Sequence, residues 1–119
     1  MNQAEIIDQL NKCNEIAQGI QLDNNSIPYF LICEELKKMR EILSFDGCCK
    51  EFNEYIKKEC LNYIDESLLM SKEPVPEHIK KGGGELKYRE HTLKQLKETA
   101  SDCIRYTKRA YDTYCPVKI

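Results

Sequence analysis

Seven cysteines (Cys13, Cys33, Cys48, Cys49, Cys60, Cys103 and Cys115) and two histidines carry the widest chemistry in this chain. Structural zinc favours Cys-x2-4-Cys pairs with matching ligands elsewhere. The only close cysteines here are the neighbours Cys48 and Cys49. On a helix, adjacent side chains point about 100° apart, so one site can use only one of them. Metal sites in helical bundles draw on inward carboxylates and Glu-x-x-His pairs. Three residues before His78 and His91 stand Val75 and Tyr88, and His-Glu-x-x-His is absent. The expectation is no metal and no cofactor.

A catalytic cysteine or serine needs a base and a group to orient it. His91 falls on the polar side of its predicted helix, near Lys87, Arg89 and Lys94, and reads as a surface residue. The acidic pairs Glu34-Glu35 and Asp65-Glu66 are adjacent, so they diverge instead of converging on a substrate. No catalytic residue is assigned, and the chain reads as a non-enzyme. The cysteines are odd in number and repeat no framework spacing. They read as free thiols that pack as small hydrophobes in a reducing compartment. Cys48 and Cys49 are the redox candidates, because the start of the third helix favours a thiolate there.

Charge is distributed unevenly. Residues 1–79 carry eight Lys/Arg against fifteen Asp/Glu, net −7, while residues 80–119 carry ten against five, net +5. Lys87, Arg89, Lys94, Lys97, Arg105, Lys108 and Arg109 are interleaved with Tyr88, Tyr106, Tyr111 and Tyr114. Cations that pair with phosphate beside rings that stack could hold a nucleotide or nucleic acid. The same stretch also holds Glu98, Asp102 and Asp112, three or four residues from basic partners, as on a solvated helix. Lys80-Lys81-Gly82-Gly83-Gly84-Glu85 shares only composition with a phosphate cradle. The P-loop spacing is missing and Glu85 would repel the anion. It reads as a flexible hinge.

These residues sit on a pattern of four helices. Ile6, Leu10, Cys13, Ala17 and Ile20 recur at steps of three and four, which predicts a helix over 3–21 ended by Asp23-Asn24-Asn25. A second helix starts at the N-cap candidate Ser26, with Pro28 in its first turn, and carries a stripe of Ile32, Leu36, Met39 and Leu43 supplemented by Phe30, Leu31 and Cys33. A third, capped by Ser44 or Asp46, runs to about Met70 with a stripe of Cys49, Phe52, Ile56, Cys60, Tyr63, Ser67 and Met70. A Pro/Gly-rich connection over 71–84 includes one short turn, Pro76 to Gly82. The fourth helix, over 85–114, keeps its rhythm through Leu93, Leu96, Ala100, Cys103, Thr107, Ala110 and Tyr114 until Pro116 stops it.

The pattern predicts a single all-α domain over 1–119, an antiparallel four-helix bundle with a long C-terminal helix. The alternative is a three-helix domain with an appended helix. With 41% apolar and 32% charged residues the chain can build a core, and no apolar run reaches the ~20 residues that cross a bilayer. Without a signal-like start, the expected location is cytoplasmic, and Asn24-Asn25-Ser26 is then a chance glycosylation match. At about 45 Å the fourth helix outruns the first. The overhang is expected at one end, with the stripe continuing through Ala110 and Tyr114 or covered by other elements.

Three functions follow. The first is a binding protein that self-associates as a homo-oligomer or docks on a protein partner through Arg105, Arg109, Tyr111 and Tyr114, residue types enriched in hot spots. The second binds nucleic acid or a nucleotide through Lys87, Arg89, Lys94, Lys97, Arg105, Lys108 and Arg109. The third is a thiol-based redox sensor.

Overall fold

The computed structural model describes residues 2–21 and 29–116. It is all-α, with no strand among those residues. The helices are α1 (Gln3–Gly19), α2 (Phe30–Leu43), α3 (Lys50–Ile56), α4 (Asn62–Ser71), α5 (Glu77–Lys81) and α6 (Glu85–Tyr114), and a π turn over Lys57–Leu61 joins α3 to α4. Four long rods therefore lie side by side: α1, α2, the α3–π–α4 rod and α6. Nothing in their contacts conflicts with the antiparallel four-helix bundle expected from the sequence.

Each rod starts and stops for local reasons. Asn2 caps α1, its Oδ1 accepting from the Glu5 N–H at 2.9 Å. The last turn of α1 has no basic residue of its own. Lys97 of α6 supplies the charge: its Nζ donates to the Gln18 carbonyl at 3.1 Å, and Gln18 Nε2 donates back to the Lys97 carbonyl at 2.9 Å. The described part of α2 starts at Phe30, so the expected Ser26 cap and the Asp23-Asn24-Asn25 turn lie outside the described residues, and Phe30 and Leu31, expected to supplement the buried stripe, are exposed in its first turn.

Two sequence expectations for the third rod need correction. Its N-cap is Cys49, extended at φ −160°, not Ser44 or Asp46; Ser44 instead closes α2, with its Oγ donating to the Arg40 carbonyl at 2.7 Å. The buried stripe also leaves the expected rhythm, running Phe52, Ile56, Cys60, Ile64 and Ser67 while Tyr63 is half exposed. Three successive steps of four would drift about 120° around a regular helix. The π turn holds more residues per turn and removes that drift, so Ile64 takes the core position expected for Tyr63.

The glycine run is likewise not a loose hinge. Gly84 N–H donates to the Ile79 carbonyl at 3.0 Å and Gly83 N–H to the Lys80 carbonyl at 3.2 Å, the paired bonds of a Schellman cap on α5. Gly83 takes the left-handed position, φ +76°. Gly84 then caps α6, whose thirty residues run unbroken as the sequence predicts.

The core is one cluster drawn from all four rods, with Leu10, Ile32, Leu36, Met39, Phe52, Ile64 and Leu96 almost without solvent contact. Its polar members are satisfied. Ser67 Oγ and Thr99 Oγ1 lie 2.8 Å apart between α4 and α6, and Thr107 Oγ1 donates to the Cys103 carbonyl at 2.6 Å. The whole is elongated, 60 × 23 × 18 Å.

Candidate docking surface at the end of the C-terminal helix

The C-terminal turns of α6 are covered, not overhanging. Ala110 is fully buried and Tyr111 nearly so, its ring centroid 4.9 Å from that of Phe52 on α3. Tyr114 is half-buried, 5.7 Å from Tyr55. The expected hot-spot residues Tyr111 and Tyr114 are therefore core and seam, because the α2–α3 corner folds over them. That corner is held by the Gly47 N–H donating to Asn53 Oδ1 at 2.6 Å, and the Phe52 ring lies against Gly47 where any Cβ would stand.

The basic residues divide into two groups with different roles. Lys97 is committed to the end of α1. Arg89 is half-buried, and its carbonyl receives the Tyr29 hydroxyl at 3.4 Å. Lys87 and Lys94 are exposed near the start of α6. Arg105, Lys108 and Arg109 are exposed near its end, roughly 20 Å further along the axis.

At that end the structure adds what the spacing alone does not reveal. The guanidinium carbons of Arg105 and Arg109 lie 5.0 and 5.7 Å from the centroid of one ring, Tyr106. Tyr106 is half-buried and packs edge-on against Tyr55 of α3, centroids 6.4 Å apart. A cation within about 6 Å of a ring face is attracted by its quadrupole. The ring therefore biases two exposed side chains toward one place, by about 0.5–1 kcal/mol each. Arg105 is also steadied by Asp102 at 3.0 Å, whereas Lys108 and Arg109 form no salt bridge among the described residues. In the sequence Tyr106 is one tyrosine among several beside basic residues. The signal was its position, one residue after Arg105 and three before Arg109 on one side of a helix.

The basic ridge is not continuous. Between its two groups stand Glu98 and Asp102, which line a groove with Tyr63, Glu66 and Gln95. No group of three or more His, Cys, Asp or Glu side chains among the described residues could hold a metal ion.

The cysteines sort by environment. Cys13, Cys60 and Cys103 are buried. Contact with Cys60, reinforced by burial, holds the Cys103 thiol far above the ordinary thiol range. Burial, and then Glu35, pushes Cys13 up as well. All three pack in the core, as the sequence reading of cysteines as small buried hydrophobes expects. Cys48 and Cys115 are not: they form a disulfide across Cα atoms 6.0 Å apart, which the sequence reading as free thiols did not foresee. Sequence distance hides the pair, since 67 positions separate them. The start of α3 packs against the end of α6, which brings the two cysteines together.

Comparison with protein-family models, curated proteins and solved structures finds no match to the chain. The site is read on its own chemistry.

Proposed function

We propose that this protein is a non-enzymatic binding module that engages an acidic macromolecular surface through Arg105, Lys108 and Arg109 on α6, in the cytoplasm. The observation that carries this reading is the pair of arginines stacked on Tyr106. Arginine dominates binding hot spots because its planar fork makes several hydrogen bonds for little extra ordering. Ordering it in advance on a ring lowers the cost of association further.

A protein surface fits better than a long nucleic acid. A polyanion needs cations spaced along its track. Here Glu98 and Asp102 interrupt the ridge, Lys97 is occupied by α1, and the whole chain is net negative. A second copy of the chain is one eligible partner, since residues 1–79 carry net −7.

Sedimentation equilibrium at low salt tests self-association, and affinity capture with quantified partners tests docking. Reversing Arg105 and Arg109 to Glu is expected to weaken the interaction by about thirtyfold or more, as the loss of a hot spot does. The same reversal of Lys87 and Lys94 should leave it nearly unchanged. Equal effects from both pairs would replace a local docking point with a diffuse attraction. A monomer whose captured partners survive the Arg105/Arg109 reversal would remove the reading altogether.

A further inference from the structure

We propose that the corner where α3 begins and α6 ends is a thiol–disulfide exchange site for low-molecular-weight thiols, with Cys49 as its resident nucleophile. Three of the seven cysteines meet here. Cys48 and Cys115 are joined, and the free Cys49 Sγ lies 3.8 Å from Cys48 Sγ, in contact with the bond it would attack. The Tyr114 carbonyl, in the last turn of α6, lies 3.3 Å from Cys48 Sγ and 3.8 Å from Cys49 Sγ. With Cys48 bonded, the thiol proton facing that carbonyl is the one on Cys49.

The position argues against a purely structural cross-link. Cys48 is exposed and Cys115 only partly covered, so a small thiol reaches the bond directly. Five further cysteines are unpaired, so this is one isolated disulfide and not part of a framework. Exposed disulfides with a neighbouring thiol are the labile kind.

The exchange balances without an outside oxidant. Deprotonated Cys49 attacks Cys48 Sγ. The Cys48–Cys49 bond forms while the Cys48–Cys115 bond breaks, and the electron pair leaves on Cys115 Sγ, which takes up the proton Cys49 lost. One disulfide is present before and after. A disulfide prefers Cα atoms more than about 4.4 Å apart, whereas adjacent residues stand about 3.8 Å apart, so the new ring is strained. Strained disulfides are reduced more readily. A small thiol, RSH, opens the ring as a mixed disulfide, and a second RSH removes the adduct as RSSR, leaving all three cysteines reduced. Cys49 thereby gives small thiols a faster way to break the covalent link between the end of α6 and the α2–α3 corner.

The test treats the oxidised full chain with reduced glutathione, quenches with acid at intervals, alkylates and maps the peptides. Cys115 should become alkylatable before Cys48, and a Cys48–Cys49 linked peptide should appear early. Cys49→Ser should abolish that peptide and slow the release of Cys115 about tenfold, as expected when a neighbouring group is lost. Release of Cys48 and Cys115 together in the unaltered chain, with no Cys48–Cys49 peptide, overturns the proposal whatever the variant does.

Discussion

Arg40 and Asp65 illustrate how one side-chain pair ties stability to pH. Arg40 on α2 donates twice to Asp65 on α4, Nε to Oδ1 at 2.7 Å and the terminal nitrogen to Oδ2 at 3.1 Å. These hydrogen bonds, with the nearby positive charge, hold the Asp65 carboxyl below its ordinary value. Because the folded-state value lies below the unfolded one, its contribution is full above the ordinary carboxylate range of about 4. It disappears as pH falls through the depressed value. Both groups are more than a third exposed, so solvent screening limits the gain to about 0.5–1 kcal/mol. Urea titrations of Asp65→Asn at pH 7 and at about pH 2.5 should show that deficit at the first and almost none at the second. The tyrosines mark the limit of residue-level reading. Tyr106, Tyr111 and Tyr114 are the same residue type a few positions apart, yet one supports two arginines, one fills the core and one closes a seam. Composition near a helix end does not distinguish these roles, because the distinction is made by Phe52 and Tyr55 arriving from another rod.

At the level of elements, what the sequence revealed depended on how regular the backbone is. The bounds of α6 were legible because thirty residues hold one unbroken period and Pro116 stands two residues past its end. The short α5 was legible from Pro76 before it and Gly82 after it. The third rod was legible as a helix but not in its phase, since periodicity assumes a constant number of residues per turn and the π turn violates that assumption. Its cap was missed because Cys49 makes no side-chain capping bond for a preference rule to detect. The phase shift makes a sharp prediction. Ile64→Ala should cost about 2–5 kcal/mol by opening a cavity in the core, while Tyr63→Ala should stay within about 0.5 kcal/mol. Urea midpoints of the two variants would measure the difference. Equal losses would mean that the rod keeps regular helical phase and that the π turn does not set which residue is buried.

For the whole molecule, the dominant feature is anisotropy. A chain of this length folded into a near-sphere has a radius of gyration of about 13.5 Å, whereas the observed value is 16.3 Å. The excess comes from rods laid side by side along one axis, the longest of them the thirty-residue α6. Frictional drag follows shape as well as mass, so a single 13.9 kDa chain 60 Å long should migrate ahead of compact standards of its own weight. Gel filtration calibrated on globular proteins is therefore expected to overstate its mass, while sedimentation equilibrium, which is blind to drag, returns 13.9 kDa or a whole multiple of it. An early elution peak from this protein is thus a measure of its slenderness before it is a measure of its company.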